Sequence, residues 1–333
     1  MEFNLQIDKL GKTNDVFGFF KYATNELNAK NYCLLESVAD SSQEMLFSFI
    51  GIQPDFMVKI NGEQLDVYDI ETERGEKMKD FAEHQQYDAE IIQEDLPFED
   101  KVEVNLPAID KLRDFFPISR SAMPELFPRK VFAGGLLGYI GYDVVSQYVG
   151  YENTINGKRE FPDVLMGYFS EVLAYSHTTQ TLYEIHNNIA TMEQNQGLSP
   201  LFGKFKRNYE KQDGSEKVAF ERSELLQEQS AFKSNTSKRE WAEIISKTKD
   251  HNTAGDIIQA VISRKMIAQT DIPAIEIYSA LKQLNPSPYM YFLNFEGAHE
   301  GDVRIIGSSP EALIRKEHDY LETHPIAGTR RRG

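Results

Sequence analysis

The sequence is poor in the residues that build covalent or metal-clipped scaffolds. Its 333 residues contain one cysteine, Cys33, and seven histidines. A single cysteine excludes an internal disulfide and indicates a reducing compartment. No two histidines have the HxxxH spacing that places two zinc ligands on one helical face. A structural zinc site is therefore not expected.

Long apolar runs and positive charge are also scarce. The N-terminal stretch MEFNLQIDKLGKTND has no apolar run long enough for a signal peptide or a membrane span. The chain carries 36 basic and 52 acidic residues, a formal net charge of −16. This charge argues against a broad nucleic-acid surface. We expect a cytoplasmic protein without nucleic-acid or membrane partners.

Strand and helix signals alternate irregularly along the chain. MVKINGEQLDVY places Asn61-Gly62 between alternating apolar residues, which predicts a hairpin, and EVLAYSHTTQTLYEIH predicts a second hairpin of half-buried strands. DVFGFFKYATNEL has the spacing of a helix. Hairpins mixed with helices, without strict βαβ alternation, predict an α+β fold with largely antiparallel sheets.

The composition divides the chain into three zones. Residues 1–190 are predicted to form an N-terminal domain, and the polar residues 191–235 a linker or helical bridge. The third zone, 236–333, opens with a capping box at Ser237 and Glu240. IIQAVISRKMI then predicts a buried strand, and DIPAIEIYSALKQL predicts a helix whose apolar stripe is Ile277, Leu281 and Leu284.

Two short segments carry residues suited to hold an amino acid. CLLESVAD ends an apolar strand on Glu36 and Ser37, which a ligand ammonium could contact at the sheet rim. A strand end followed by a solvated turn explains the same residues, and the residues alone favour that reading. In NPSPYM, two prolines stiffen a turn, and Pro288, Tyr289 and Met290 offer apolar surface for an aromatic ring. A rigid connection without a ligand is an equal alternative.

Two glycine-containing segments have different interpretations. GGLLGYIGYD lacks the GxGxxG spacing of a dinucleotide site, so close backbone packing at a sheet bend is the preferred reading. The chain ends on HPIAGTRRRG, in which glycine, threonine and three arginines could hold an anion. Cys33 lies in an apolar run, so a nucleophilic role is not expected.

Seven motifs in order resemble one family. LLES, SFIGIQPDF, GGLLGYIGYD, GDIIQAVISRK, NPSPYM, IIGSSPEALIR and PIAGTRRRG are similar to segments of the large subunit (component I) of anthranilate synthase, a chorismate-binding enzyme. The resemblance implies antiparallel sheets packed as a sandwich with flanking helices. It also implies addition of ammonia to chorismate, loss of the ring hydroxyl with the help of magnesium, and elimination of pyruvate to give anthranilate. The implied partner is a glutaminase subunit, in a heterotetramer.

The resemblance also implies site residues. Tryptophan would inhibit by binding between the LLES strand and the NPSPYM turn, at Glu36, Ser37, Pro288, Tyr289 and Met290. Chorismate would contact the PIAGT loop at Gly328 and Thr329.

One residue distinguishes anthranilate synthase from a related enzyme, and the end of the chain bears on whether this chain is expected to be active. Aminodeoxychorismate synthase has a lysine where this chain has Ala327, which disfavours that alternative. The family's catalytic domain continues past PIAGT, so catalytic residues and magnesium ligands are expected beyond Gly333 and none is assigned here. We therefore expect an inactive, truncated chain. The other alternative is a non-catalytic module that senses tryptophan or docks the glutaminase.

Overall fold

The computed structural model describes residues 3–37, 47–62, 64–68, 110, 127, 131–149, 161–189, 199–211, 232–297, 301–317, 320–323 and 325. Two compact units emerge from the contacts. One comprises Met1–Ser215 with Ile277–Gly333, and the other Glu216–Glu276. The domain boundaries expected at residues 190 and 235 stay predictions.

The described elements are fifteen strands and five α-helices. The strands are β1 (Phe3–Lys12), β2 (Asn31–Glu36), β3 (Phe47–Ile52), β4 (Phe56–Asn61), β5 (Gln64–Tyr68), β6 (Gly135–Ile140), β7 (Val164–Phe169), β8 (Glu171–Ser176), β9 (Thr181–Ile189), β10 (Lys233–Ser234), β11 (Met266–Ile267), β12 (Tyr289–Phe295), β13 (Val303–Ser309), β14 (Arg315–Glu317) and β15 (Tyr320–Glu322). The helices are α1 (Val16–Glu26), α2 (Ser146–Val149), α3 (Ser199–Lys211), α4 (Lys238–Ala254) and α5 (Ala274–Leu284), and a 3-10 turn spans Tyr142–Val145.

The larger unit contains two antiparallel sheets that pack as a sandwich. Seven strands follow the order β1-β9-β8-β3-β2-β12-β13, and four follow the order β5-β4-β7-β6. One buried cluster joins Cys33 and Leu293 of the first sheet to Met57 and Leu165 of the second. The predicted α+β class with largely antiparallel sheets is confirmed, as is the sandwich.

Helices cover the opposite face of the seven-stranded sheet. Phe20 of α1 is fully buried, and its ring lies 5.6 Å from that of Tyr32 and 6.3 Å from that of Phe292. Helix α3 packs on α1, with the Tyr22 and Phe205 rings 6.2 Å apart. The sheet is therefore covered on both faces.

Both predicted hairpins are confirmed. Asn61 pairs with Gln64 where β4 turns into β5, and β8 turns into β9 through residues 177–180. Strands β8 and β9 are buried on both faces rather than half-buried, because helices cover the face that was expected to meet solvent.

Glycine in GGLLGYIGYD serves close packing of β6 on β7. A Cβ at Gly138 would overlap the Leu165 carbonyl oxygen and approach the Met166 Cα to 2.6 Å. This supports the packing interpretation of the motif over dinucleotide binding. Cys33 is fully buried, and burial raises the pKa of its thiol, which disfavours the thiolate form that a nucleophile requires.

In the second unit, the helix start predicted from the sequence is found, but the predicted strand is not. The capping box is confirmed: the Ser237 hydroxyl accepts from the Glu240 N–H at 3.2 Å, and the Glu240 carboxylate accepts from the Ser237 N–H at 2.8 Å. The buried strand predicted from IIQAVISRKMI is wrong. Ile258 is 97% exposed, and only β11 forms, paired with the two-residue β10. A partner this short cannot bury an apolar run.

The apolar stripe predicted for α5 is also wrong, although the helix itself is confirmed. Ile277 and Leu284 are exposed, whereas Tyr278 is fully buried. The helix thus turns a different face to the sheet, and that face contributes to the site described below. No helix among the described residues is long and apolar enough to cross a membrane.

Candidate functional site

Antiparallel pairing of β2 with β12 brings the two candidate ligand-binding segments together. Met290 lies directly opposite Glu36, and Phe292 lies opposite Leu34. Directly opposed residues share one face of a sheet, here the face covered by helices. The last residue of β2 therefore meets the second residue of β12, although about 250 positions separate them in sequence.

The Glu36 carboxylate is buried, and both of its oxygens accept hydrogen bonds. It is 3% exposed, and it accepts from the Tyr278 hydroxyl at 2.7 Å. The Lys282 ammonium donates to both carboxylate oxygens, at 2.8 and 3.0 Å. Tyr278 and Lys282 are four residues apart on α5, so one helical face supplies both donors. Helix α5 is thereby fastened to the end of β2.

Aromatic rings surround these donors. The Tyr278 ring lies 5.5 Å from that of Phe17 and 5.7 Å from that of Phe292. The Lys282 ammonium lies 5.0 Å from the centre of the Phe17 ring. Burial, together with the nearby charge of Glu36, raises the pKa of Tyr278, so its hydroxyl stays protonated and continues to donate.

Ser37 begins a second set of polar contacts on the neighbouring strands. Its backbone N–H donates to the fully buried Ser48 hydroxyl at 3.3 Å, and Ser48 Oγ lies 2.8 Å from His177 Nε2. Burial lowers the pKa of His177; the charge of Glu36 opposes this effect and that of Lys282 adds to it. His177 is therefore kept neutral beside the Glu36–Lys282 pair.

Hydroxyl groups hold the NPSPYM turn in place. The Ser308 hydroxyl donates to the Asn285 carbonyl at 2.6 Å and lies 2.7 Å from Ser287 Oγ. Ser308 is also the residue opposite Met290 on β13. The turn is thus fixed against the sheet from both ends, as a preformed binding wall requires.

The structure brings together all five residues predicted for the effector. Glu36 and Met290 are buried and opposed, Ser37 follows Glu36, and Pro288 directly precedes Tyr289, the first residue of β12, which is 41% exposed. Gly328 and Thr329, predicted to contact chorismate, lie outside the described residues, as does Ala327. The roles of all seven site residues in ligand binding stay predictions.

Sequence reasoning missed the residues that position Glu36. Tyr278 and Lys282 stand at an i, i+4 spacing beside the apolar residues that were assigned to the buried face of α5. That spacing was the available signal: a hydroxyl and an ammonium on one helical face can serve a buried carboxylate. Ser48 and His177 gave no comparable local signal, because their contact spans 129 positions.

Comparison with known proteins shows which family the chain belongs to. A family model described as chorismate binding enzyme matches residues 103–333, which is more than half of the chain. The chain is similar to anthranilate synthase component 1 of Acetivibrio thermocellus, with 35% identity over 215 residues, covering 63% of this chain and 42% of the relative. The corresponding protein of Pseudomonas putida is 28% identical over 308 residues, covering 91% and 55%.

The chain spans about half the length of the curated relatives it matches. A solved structure, of anthranilate synthase component I from Streptococcus pneumoniae TIGR4, aligns with a TM-score of 0.49 and 20% identity, covering 85% of this chain and 55% of that one.

Replacing Lys282 by methionine should destabilise the larger unit. The substitution leaves the buried Glu36 carboxylate with Tyr278 as its remaining donor among the described residues, and removing one partner of a buried ion pair costs about 3 kcal/mol. Urea denaturation should show this loss in the free energy of unfolding. Lys204→Met on the exposed side of α3 is the control and should change it by less than about 0.5 kcal/mol. Equal effects of the two substitutions would contradict the structural role of the ion pair.

His177 should make the folded chain less stable in mild acid. Because burial lowers its pKa below the ordinary value of 6.5, the unfolded chain takes up the proton first. The contribution of neutral His177 to the free energy of unfolding is fully present above pH 6.5 and is lost as the pH falls towards the lowered pKa. Between about pH 6.5 and pH 5, the free energy of unfolding should therefore decrease less in His177→Gln than it would with the histidine present. An unchanged pH dependence in the variant would show that His177 does not contribute.

Proposed function

Since the chain belongs to the chorismate binding enzyme family, we propose that it is part of the large subunit of an anthranilate synthase, with a tryptophan-binding site at the β2–β12 junction. The names of the similar curated proteins support the first part of this proposal. The antiparallel pairing of Glu36 with Met290 supports the second.

The proposed reaction is that of the complete enzyme. Ammonia adds to chorismate, the ring hydroxyl leaves, and pyruvate is eliminated to give anthranilate. A glutaminase subunit supplies the ammonia from glutamine, within a heterotetramer. In this proposal Gly328 and Thr329 contact chorismate, because an N–H beside glycine and a hydroxyl can hold a carboxylate without adding a mobile charge.

Magnesium belongs to the proposal as the ion that assists departure of the hydroxyl. Within the described part of the chain, potential metal ligands group at Glu171, Glu184 and His186. Mg²⁺ prefers oxygen ligands, and the imidazole does not suit it. The described residues therefore do not fit a magnesium site, and no step of the reaction is assigned to one here.

The Glu36–Lys282 ion pair suits a zwitterionic ligand. A free amino acid carries one ammonium and one carboxylate, which match a buried carboxylate and a lysine that is about a quarter exposed. The carboxylate of Glu36 has lone pairs left for an incoming ammonium, and the three donors of Lys282 can be shared with a ligand carboxylate. The site can accept the ligand without leaving a buried charge unpaired.

Apolar contacts would select the side chain of the ligand. Met290 is buried, and the Tyr289 ring remains partly exposed beside the rigid turn. Burial of an indole-sized group contributes about 2–3 kcal/mol. Micromolar affinity requires about −8 kcal/mol, so the polar contacts must supply most of the remainder. Selectivity for tryptophan over alanine would follow from the apolar part, and recognition of the amino acid group from the polar part.

Two other functions are the alternatives to this proposal. An aminodeoxychorismate synthase is disfavoured by Ala327, which lacks the amine of the nucleophilic lysine. A non-catalytic module would bind tryptophan or the glutaminase and would convert no chorismate in any assembly.

Calorimetric titration of the chain with tryptophan tests the proposed site. We expect saturable binding in the micromolar range, weakened at least about tenfold in Ser37→Ala through loss of one hydrogen bond to a charged group. Ser146→Ala, which removes a hydroxyl that donates to the Asp143 carbonyl beside the 3-10 turn, is the matched control and should bind normally. Circular dichroism of both variants should match that of the unmodified chain if they fold.

Other outcomes of this titration separate the hypotheses. Binding that is unaffected by Ser37→Ala would contradict the assigned site, and absence of saturable binding would contradict the proposed effector. Anthranilate fluorescence from chorismate, ammonia and magnesium is not expected from this chain alone, because the chain spans about half the length of the curated relatives it matches. The appearance of fluorescence would contradict that expectation.

A further inference from the structure

A second cluster of charged side chains lies on the helix-covered face of the seven-stranded sheet. Glu184 and His186 are two residues apart on β9, so both point to the same face. The strand register places Asp8 of β1 opposite Glu184, and Glu171 of β8 opposite His186. Three adjacent strands thus bring three carboxylates around one imidazole.

The distances show how these groups are arranged. Each nitrogen of His186 faces a carboxylate: Nδ1 lies 3.4 Å from Glu171 Oε1, and Nε2 lies 3.5 Å from Glu184 Oε1. Asp8 Oδ2 lies 3.9 Å from Nε2. All three distances exceed the 2.7–2.9 Å of a charge-assisted hydrogen bond.

The charges of the cluster are not balanced by its own members. Even a protonated imidazole supplies one positive charge against the two carboxylates of Asp8 and Glu184, and Glu171 has a further interaction of its own. Like charges directly opposite each other, such as those of Asp8 and Glu184, destabilise an antiparallel pair. A further positive charge at this point would remove that repulsion.

Glu184 provides an independent indication of a missing partner. Its side chain is completely buried, and neither carboxylate oxygen has a hydrogen-bond partner among the described residues. His186 is 5% exposed, and its Nε2 atom likewise has no hydrogen-bond partner among the described residues. Buried charged groups are normally hydrogen-bonded or coordinate a metal, because desolvation otherwise costs several kcal/mol.

We propose that this cluster binds a divalent transition-metal ion. His186 Nε2 and Glu184 are the buried ligands, Asp8 is the third ligand from the exposed side, and Glu171 holds the ring through its Nδ1–H. Glu184 and His186 belong, with Glu171, to a group in which one ligand atom of each residue lies within 4.8 Å of the others. Asp8 Oδ2 lies 3.9 Å from His186 Nε2 and accepts from Gln6 Nε2 at 2.7 Å, a hydrogen bond that it would exchange for the ion. Two atoms that each bind a tetrahedral ion at about 2.1 Å are about 3.4 Å apart, close to the separation of Nε2 and Glu184 Oε1.

The donor set indicates the class of metal. One imidazole nitrogen with carboxylate oxygens suits Zn²⁺ and its first-row neighbours, whereas Ca²⁺ and Mg²⁺ prefer oxygen alone. A carboxylate that accepts from the other ring nitrogen, as Glu171 is placed to do, is the usual support of a metal-bound histidine. The ion would link β1, β8 and β9, a structural role independent of the proposed function.

A proton is the competing occupant of this site. Burial alone lowers the pKa of His186, but the nearby carboxylates of Glu171 and Glu184 outweigh this effect and raise the pKa to about 9. The metal has to displace that proton from Nε2, and a measurement of metal binding therefore decides between the two occupants.

Zinc titration of the metal-free chain tests the proposal, with calorimetry for stoichiometry and thermal unfolding for stability. We expect one zinc ion per chain and a rise of several degrees in Tm. Glu184→Gln, which keeps the size of the side chain and removes its charge, should abolish both effects. Asp8→Asn, on a partly exposed side chain of an edge strand, should weaken zinc binding at least about tenfold and keeps the test valid if the buried variant does not fold.

His251→Gln is the matched control. His251 also faces a carboxylate, with Nδ1 2.8 Å from Asp256 Oδ2, but this pair is exposed. The control should bind zinc as the unmodified chain does. Absence of zinc binding would overturn the proposal and leave protonated His186 as the bridge. Binding retained in both Glu184→Gln and Asp8→Asn, or lost in His251→Gln, would place the ion elsewhere and overturn it as well.

Discussion

The buried carboxylate of Glu36 is the constraint on which the candidate site depends. A carboxylate that is 3% exposed is stable only with donors in place, and both Tyr278 and Lys282 come from α5. The contact fixes the rotation of α5 and therefore explains why Tyr278 faces the sheet while Ile277 and Leu284 do not. Electrostatics at one residue overrides the apolar pattern of the helix.

The site follows from the direction of the strands. β2 ends where β12 begins, and β8 ends where β3 begins, so Glu36, Met290, Ser48 and His177 gather at one end of an antiparallel sheet. Because the strands that supply them lie far apart in sequence, the site forms only when β12 joins the N-terminal strands. Ligand binding at this junction would therefore stabilise the sheet as a whole, since a ligand that binds only the folded state adds to its stability.

Local signals predicted local structure well. The Asn61-Gly62 hairpin, the Ser237 capping box and the span of α1 each depend on neighbouring residues, and each is confirmed. Burial was harder to predict because it depends on partners distant in sequence. The run around Ile258 lacks a long partner strand, and helical histidine spacing gives no indication of Glu184 and His186, which are two residues apart on a strand. The pairing of Glu36 with Met290 followed from family resemblance, and periodicity alone gave no indication of it.

A double-mutant cycle between Glu36 and Lys282 tests the central claim most directly. The free energy of unfolding is measured for the unmodified chain, Glu36→Gln, Lys282→Met and the double variant. If the ion pair fastens α5 to the end of β2, the two substitutions are coupled by about 2 kcal/mol, and the double variant is more stable than the sum of the single losses allows. Strictly additive losses would contradict the account, because they would show that the two residues do not interact in the folded chain.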